Sequence, residues 1–398
     1  MVLEANAPRV NFANPFTAEH EMFRKSVRAF VEKEIRPYVD EWEEAEIAPL
    51  HDLFRKMGSV GFLGLNYPEE YGGANADIWY TVVLCEELAR AGAAGIPMAI
   101  LVQTDMATPA LARHGSEALK QRYLAPAIRG EMVASIAVTE PNAGSDVASI
   151  ITRAEQDGDE YVINGSKIYI TNGTQADWLC LLARTSPGTG YRGMSLIIVP
   201  TNLPGFSVSR KLKKLGNHSS DTAVLSFENV RVPVENRIGE EGMGFYYQME
   251  QFQVERLVGA IGGVAGAELA VRDTIKYTQE RGAFGKPLIA NQWIQFKLSE
   301  LLTEIEAAKH LNYHCAALIE AGADGQEVTR IASMCKLKAG RLMREVADTC
   351  LQFYGGMGYM EETPISRYFR DARLTSIGGG ADEVMLGIIA KLENMNPR

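Results

Sequence analysis

Apolar residues recur at helical spacing near the start of the chain and again over its last third. Phe23, Val27, Phe30 and Val31 fall on one helical face, and Thr17 before them is a typical N-cap with Glu19 and Glu21 in the first turn. The same period, between glycine-rich breaks, predicts further helices. They are Pro49–Met57, Ile78–Ala91, Met106–Tyr123, Phe245–Arg281, Asn291–Ala321, Glu327–Leu351 and a last one from Ala381.

Between the helical regions the pattern changes to short runs rich in β-branched and apolar residues. These runs are Ser135–Thr139, Tyr161–Ile163, Lys167–Thr171, Trp178–Ala183, Ser195–Val199 and Ala223–Val230. Asp157-Gly158, Asn164-Gly165, Asn172-Gly173 and the Ser186-Pro187-Gly188 loop separate them, as hairpin turns and surface connections do. We therefore predict an α+β protein with an N-terminal α-helical domain (1–132), a middle β-barrel or sandwich domain (133–240) and a C-terminal four-helix bundle (241–398).

Length and charge narrow the class of protein. A chain of 398 residues exceeds one hydrophobic core, so several domains are expected. The net charge of −10 gives no basic field for nucleic acid, and no run of about 18 apolar residues predicts an integral membrane segment. The first sixteen residues lack the pattern of a signal or an organelle presequence. We expect a cytoplasmic protein, and place a mitochondrial matrix protein with its presequence already removed second.

Three residue patterns suggest other sites and are set aside. The cysteines, Cys85, Cys180, Cys315, Cys335 and Cys350, form no C-x-x-C pair and are expected to be reduced thiols of the core. His310 and His314 have metal-like spacing, but no Glu follows the first, so we predict no metal. The glycine-rich segments 355–358 and 378–380 do not follow a strand inside a β-α-β unit, which excludes a Rossmann or P-loop site.

Several segments in register resemble one known family. They are Thr139-Glu140-Pro141-Asn142-Ala143-Gly144-Ser145-Asp146, Lys167-Ile168-Tyr169-Ile170-Thr171-Asn172-Gly173, Glu255-Arg256, Arg281-Gly282-Ala283-Phe284-Gly285-Lys286, Gln352-Phe353-Tyr354-Gly355-Gly356-Met357-Gly358 and Arg370-Asp371-Ala372-Arg373. In order and spacing, across nearly the whole chain, they resemble the acyl-CoA dehydrogenase family. The resemblance implies the same helical, β, helical order, a homotetramer built as a dimer of dimers, and FAD between the β domain and the C-terminal bundle.

The resemblance also assigns cofactor residues. It implies that the isoalloxazine ring is lined by Ile136, Val138, Thr139, Gly144, Ser145, Tyr169, Ile170 and Thr171. It places Arg281, Phe284, Gln292, Gln352, Gly355 and Gly356 on the pyrophosphate and adenosine, partly from a neighbouring subunit, and adds Ala381 and Glu383 as cofactor contacts. Which of Asn291, Gln292 and Trp293 touches FAD stays open.

The chain departs from many family members at the catalytic base. Their base is a Glu in the loop before the last helix, and the matching position here is Gly379. Long-chain and isovaleryl-type members instead place the base on a bundle helix, in a Glu-Arg pair that matches Glu255-Arg256. We therefore predict Glu255 as the base and expect the Gly379 N–H to help polarise the thioester carbonyl. Ser145, Arg256, Gly380 and Lys391 match positions near the acyl-CoA substrate.

The loop before the last helix also bears on substrate and partner. Gly378 replaces an aromatic residue of medium-chain and long-chain relatives, so a roomier pocket is expected. The Gly-Gly-Gly-Ala-Asp-Glu-Val-Met run resembles bacterial dehydrogenases for long or methyl-branched acyl-CoAs, including citronellyl-CoA enzymes. Relatives pass electrons to electron-transferring flavoprotein, the expected partner. The alternatives are an acyl-CoA oxidase or flavin monooxygenase of the same fold, and a catalytically inactive acyl-CoA-binding scaffold.

Overall fold

A computed structural model describes residues 14–187 and 190–395, and its contacts divide the chain into two compact units. The first unit contains the chain up to Pro37, Asp77–Ala94 and the chain from Arg256 onward. The second contains Tyr38–Ala76 and Gly95–Glu255. The three-segment division stays a prediction. The proposals for residues 1–13 and for Gly188 lie outside the described residues.

Helices and strands follow one another in a helical, β, helical order along the described chain, which confirms the α+β class. The helices are α1 (Ala18–Phe30), α2 (Val39–Glu44), α3 (Leu50–Ser59), α4 (Ile78–Leu88), α5 (Gly95–Leu101), α6 (Pro109–His114), α7 (Glu117–Leu119), α8 (Ala125–Ile128), α9 (Gly244–Glu280), α10 (Gln292–Glu320), α11 (Gly325–Tyr354), α12 (Pro364–Ala372) and α13 (Asp382–Leu392). The strands are β1 (Ala134–Ala137), β2 (Arg153–Asp157), β3 (Glu160–Thr171), β4 (Trp178–Arg184), β5 (Met194–Pro200), β6 (Phe206–Lys211), β7 (Thr222–Pro233), β8 (Arg237–Ile238), β9 (Gly282–Ala283) and β10 (Lys286–Pro287).

The second unit is built on a sheet that has eight strands within the described residues, in the order β6-β7-β3-β2-β4-β5-β8, with β1 parallel to β4. Side chains of β4 alternate between two core clusters. Cys180 and Leu182 pack with the helical residues, whereas Leu179 and Leu181 pack with residues of β3, β5 and β7. A strand buried on both faces has an unbroken apolar sequence, as this one does.

Two local predictions are wrong in the second unit. Asn164-Gly165, predicted as a turn, lies inside β3, where the pairing with β7 shifts between Ile163 and Gly165 and Gly165 has a φ of +151°. The pair therefore forms a bulge. The predicted helix Met106–Tyr123 is divided, because α6 begins at Pro109, whose ring removes a backbone N–H, and ends before Gly115.

The first unit is helical, and its predicted helices are confirmed within a few residues. Thr17 caps α1 and forms a capping box with His20. His20 also lies 3.1 Å from Asp77, which caps α4. The helix predicted at Asn291–Ala321 is α10, with Asn291 as its N-cap. Among the described residues, no helix is both long and apolar enough to cross a membrane.

Glycines with a left-handed backbone allow a direct test of packing in the second unit. Gly130 has a φ of +72°, and a Cβ there would lie 1.9 Å from the Phe54 carbonyl oxygen. Gly61 has a φ of +79°, yet a Cβ there would meet nothing within 4 Å. The two positions share backbone strain but differ in available space.

We expect Gly61→Ala to lower the free energy of unfolding by about 1 kcal/mol, the cost of left-handed backbone for an L-residue. Gly130→Ala should cost roughly 3 kcal/mol or more, because a backbone carbonyl must also move. Thermal and urea unfolding of both variants measure the difference. Equal destabilisation by the two substitutions would contradict the close approach of Gly130 to Phe54.

Candidate active site

A buried ion pair joins the two motif segments of the β-rich unit. Lys167, on β3, donates 2.8 Å to the Val138 carbonyl and 2.9 Å to Oε1 of Glu140. The side chains of Lys167 and Glu140 are 0% and 3% exposed. The loop after β1 is thereby fixed against β3.

The surroundings of Glu140 keep this pair charged. Its carboxylate also accepts from the backbone N–H groups of Ile151 (2.7 Å) and Thr152 (3.0 Å). Burial opposes ionisation, but the Lys167 ammonium and these hydrogen bonds outweigh it and hold the pKa of Glu140 below its usual range. Burial lowers the pKa of Lys167 to about 8, against the pull of the Glu140 charge. Both groups are therefore charged at neutral pH.

A second irregularity in β3 shapes the same region. The pairing of β3 with β7 shifts between Lys167 and Ile170, and Tyr169 between them has a φ of +61°. Tyr169 is 67% exposed, and the N–H of its neighbour Ile168 donates 2.9 Å to the Thr139 carbonyl. Such bulges re-aim side chains next to functional sites. Next to the bulge, this hydrogen bond joins β3 to the loop after β1.

The residues that are predicted to line the isoalloxazine ring differ in their solvent exposure. Thr139 and Thr171 are half-buried, and Gly144 and Ser145 are exposed. Ile136 is half-buried, while Val138 (8% exposed) and Ile170 (2% exposed) belong to core clusters. A ligand in this region can therefore reach hydroxyl groups and a glycine backbone, whereas Ile170 can offer only its backbone.

The Arg281–Lys286 motif of the helical unit is a tight hairpin. Strands β9 and β10 pair Ala283 with Lys286, and the two loop residues, Phe284 and Gly285, have φ values of +52° and +78°. Two positive φ values in a two-residue loop define the turn that suits a hairpin twist. Phe284 is fully exposed.

Beside this hairpin lies a cleft of about 610 Å³. It is lined by Tyr277, Arg281, Ala283, Leu288, Asn291, Trp293, Ile294, Gln352, Phe353, Tyr354, Gly355, Gly356 and Met357. Arg281, Gln352, Gly355 and Gly356 are thus brought together as predicted neighbours. Asn291 and Trp293 lie among the lining residues, but Gln292 and Phe284 do not.

The glycine-rich loop before α13 has a constrained backbone. Gly379 and Gly380 have φ values of +62° and +98°. A Cβ on Gly380 would lie 2.5 Å from Cε of Met385 and 4.0 Å from Nε of Arg256. Lys336 donates 3.1 Å to the Gly380 carbonyl. The left-handed backbone favours glycine at position 380, a Cβ there would require the end of the Met385 side chain to move, and the loop is close to Arg256.

The predicted base lies inside the long helix α9. Glu255 is half-buried, and its Oε2 atom is sealed from water. Arg256, the next residue, is 7% exposed. The carboxyl group is therefore not turned out to bulk solvent. At the last helix, Ala381 is the N-cap of α13, Glu383 is exposed in its first turn and Lys391 is exposed in its last turn.

Sequence reasoning missed the roles of Lys167 and Glu140, although both residues stand in the quoted motifs. The available signal was a Lys inside an apolar, β-rich run, since such a residue is rarely buried without a partner. Within the described residues, no group of three or more His, Cys, Asp or Glu is placed to hold a metal, and His310 lies 3.1 Å from Glu306.

Comparison with protein families places the chain. Family models described as acyl-CoA dehydrogenase N-terminal, middle and C-terminal domains match residues 17–131, 135–230 and 242–392. The chain therefore belongs to the acyl-CoA dehydrogenase family, whose members are flavoprotein oxidoreductases, and it has that family's fold.

Individual relatives cover nearly the whole chain. An acyl-CoA dehydrogenase of Bacillus subtilis is 40% identical over 94% of this chain and 98% of its own. The mitochondrial long-chain specific acyl-CoA dehydrogenase of Sus scrofa is 38% identical over 94% of this chain and 86% of its own.

Solved structures agree with this fold. The crystal structure of acyl-CoA dehydrogenase from Geobacillus kaustophilus has a TM-score of 0.92 and 41% identity, covering 96% of this chain and 100% of that one. A structure described as an electron transferring flavoprotein of Acidaminococcus fermentans contains a chain with a TM-score of 0.92 and 35% identity, covering 97% of this chain and 100% of that one.

The buried ion pair gives a stability prediction. Lys167→Met should lower the free energy of unfolding by about 3 to 5 kcal/mol, because it leaves the Glu140 carboxylate buried without its cation. Arg231→Met is the matched control. Arg231 pairs with Asp157 and Glu160 at the surface, where solvent screens the charges, so its loss should cost far less than the loss of Lys167. Urea unfolding measures both, and similar costs would contradict a structural role for the Lys167–Glu140 pair.

Proposed function

We propose that this chain catalyses the FAD-dependent α,β-dehydrogenation of acyl-CoA thioesters to trans-2-enoyl-CoA, with Glu255 as the base. The observation that carries the proposal is the Glu255 carboxyl group, which is half-buried with Oε2 sealed from water. A shielded carboxylate on a rigid helix is suited to remove the proton α to a thioester. Gly379, the other position where family members hold a base, has no side chain.

The residues present fit FAD. Arg281 brings a planar guanidinium to the cleft, which suits a pyrophosphate, and Trp293 and Phe353 line it with aromatic surface for an adenine. A Cβ at Gly355 or Gly356 would meet nothing within 4 Å, so their backbone is open to a ligand. In the β-rich unit, the hydroxyl groups of Thr139 and Thr171 and the backbone of Gly144 and Ser145 would hold the flavin ring.

Each residue then has a limited task. Bound FAD would supply the acceptor for the β hydrogen, which leaves as hydride. Glu255 takes the α proton. The Gly379 N–H donates to the thioester carbonyl, a role that needs no side chain. Arg256 and Lys391 are cations suited to the CoA phosphates, and Ser145 and Gly380 contact the substrate.

We assign medium-to-long or methyl-branched acyl groups, such as that of citronellyl-CoA, as substrates. Gly378, Gly379 and Gly380 leave this part of the pocket wall without side chains. A Cβ on Gly378 would make only ordinary contact with Leu374, at 3.4 Å, so the position accepts a side chain but does not have one. The open space at position 378 therefore results from the choice of glycine, because local packing would accept a side chain there.

We assign electron-transferring flavoprotein as electron acceptor and a homotetramer in the cytoplasm as the working form. The similar chain in a structure described as an electron transferring flavoprotein supports the acceptor. Large exposed aromatic side chains support assembly: Phe284 is 103%, Trp293 56% and Phe296 57% exposed. Exposed aromatic surface of this extent marks interaction sites.

Glu255→Gln should abolish the anaerobic bleaching of bound FAD by an acyl-CoA, slowing it by about 100-fold or more, because the variant cannot accept the α proton. The flavin should stay bound. Glu250→Gln is the control, since Glu250 lies on the same helix but is paired with Arg113 and His114 at the surface. Bleaching that persists in Glu255→Gln would overturn the assignment of the base. If no acyl-CoA bleaches the flavin of the wild-type protein, the result would favour the inactive scaffold.

Turnover with a panel of CoA esters tests the substrate assignment. Wild-type kcat/KM should be higher for long or methyl-branched esters than for butyryl-CoA. Gly378→Tyr should lower kcat/KM for the bulkier esters about 10-fold or more and leave butyryl-CoA nearly unchanged, since a side chain there narrows the pocket. A strong wild-type preference for butyryl-CoA would defeat the assignment.

A further inference from the structure

Three polar side chains share one face of α9. Gln248, Gln251 and Glu255 are spaced three and four residues apart, the spacing that places side chains above one another on a helix. At about 1.5 Å rise per residue, Gln251 and Gln248 lie about 6 Å and about 10 Å from Glu255 along the helix axis. The face that bears the proposed base thus bears two amides at successive turns.

Both amides are buried with unused hydrogen-bonding capacity. Gln248 is 0% exposed, and within the described residues neither its Oε1 nor its Nε2 has a hydrogen-bond partner. Gln251 is 1% exposed; its Nε2 donates to the Met106 carbonyl, while its Oε1 has no partner among those residues. An unsatisfied buried polar group is destabilising, so these two amides make the ligand-free fold less stable than leucines would at the same positions.

Two polar side chains on another face of the same helical segment have partners. Glu250 pairs with Arg113 and with His114, both at 3.1 Å. Tyr247 stacks on the ring of His114, with centroids 3.9 Å apart. The side chains of Gln248 and Gln251 differ in this respect from Glu250 and Tyr247 on the same helix.

The segment that receives the Gln251 amide is itself irregular. Met106 belongs to a π-helical stretch, Val102–Ala107, and such stretches occur frequently at functional sites. Its charged residue is Asp105, which is 5% exposed and accepts a hydrogen bond from Thr104 at 2.6 Å. The Gln251 amide thus contacts the backbone of a π-helical stretch that carries an acidic side chain.

We propose that Gln248 and Gln251 form a polar subsite that binds a hydroxyl group on the acyl chain of the substrate, beyond the carbons that react. A hydroxyl both donates and accepts, so it satisfies Oε1 and Nε2 of one glutamine, whereas a carboxylate has no hydrogen-bond donor for Oε1. The proposal rests on the proposed function, because it takes Glu255 as the mark of the reacting carbons. It adds hydroxylated acyl-CoAs to the substrate class.

The test compares hydroxyacyl-CoAs, with the hydroxyl moved stepwise away from the thioester, against unsubstituted acyl-CoAs of equal length. At one hydroxyl position the wild-type kcat/KM should exceed that of the unsubstituted ester about 10-fold, because the unsubstituted chain leaves the amide unpaired. Gln248→Leu should remove this preference. Met249→Leu, a volume-conserving change on the same helix but off this face, should keep it.

Stability of the ligand-free protein provides a second measurement. Gln248→Leu should unfold at the same or a higher temperature than wild type, because it removes a buried unsatisfied amide. It should also lose the extra thermal stabilisation that the preferred hydroxyacyl-CoA gives to wild type. A clear loss of ligand-free stability in Gln248→Leu would identify the side chain as structural and overturn the proposal.

The remaining outcomes separate this proposal from the proposed function. If acyl-CoAs bleach the flavin but no hydroxyl position is preferred, the subsite is wrong and the dehydrogenase assignment stands. If Gln248→Leu changes KM equally for all esters, the amides contact the shared CoA part, and the acyl subsite is again wrong. If no ester of either kind bleaches the flavin, the proposed function itself fails.

Discussion

The ion pair between Lys167 and Glu140 is the interaction on which the β-rich half of the candidate site depends. A charged pair that is 0% and 3% exposed is costly to bury, and a pair of apolar side chains would fill the same space at lower cost. What the pair adds is register: one ammonium contacts both the Val138 carbonyl and the Glu140 carboxylate, and Glu140 in turn holds the backbone at Ile151 and Thr152. The loop after β1 is thereby fixed at both ends. The fixed loop in turn determines the positions of Thr139 and of the bulge at Tyr169.

A second constraint is the backbone of the loop before α13. Left-handed φ values at Gly379 and Gly380 are strained for residues other than glycine, and a Cβ on Gly380 would meet the end of the Met385 side chain. A side chain would strain the backbone of such a loop, whereas its backbone N–H groups remain available as hydrogen-bond donors. A helix offers the opposite: its N–H groups are used internally, but its side chains are held firmly. The proposed roles of Glu255 as base and of the Gly379 N–H as donor agree with these properties.

Much of this architecture could be predicted from local sequence, and the exceptions have physical causes. The helices α9, α10 and α11 were predicted within a few residues because their period extends over many turns. Strands β2 and β6 were missed because Arg153–Asp157 and Phe206–Lys211 are mostly exposed and polar, so they lack the alternation that marks a half-buried strand. Asn164-Gly165 has the sequence of a hairpin turn, but its pairing with β7 made it a bulge. Whether Asn164-Gly165 forms a turn or a bulge is decided by strand partners that are distant in sequence.

The candidate site divides in the same way. Motif letters could identify Arg281, Gln352 and Gly355 as neighbours, but the participation of Asn291 and Trp293 in the cleft depends on where the hairpin ends and α10 begins. The burial of Lys167 likewise requires a contact across 27 residues of chain.

Gln248 shows the limit most clearly, since a glutamine within a helix is ordinarily a solvent-facing residue. Only burial without partners distinguishes it, and that property exists only in the folded chain. Selection for stability alone removes such a residue easily, because leucine is a better helix former and leaves nothing unpaired. The proposed hydroxyl ligand would complete the hydrogen bonds that the Gln248 amide lacks in the isolated chain.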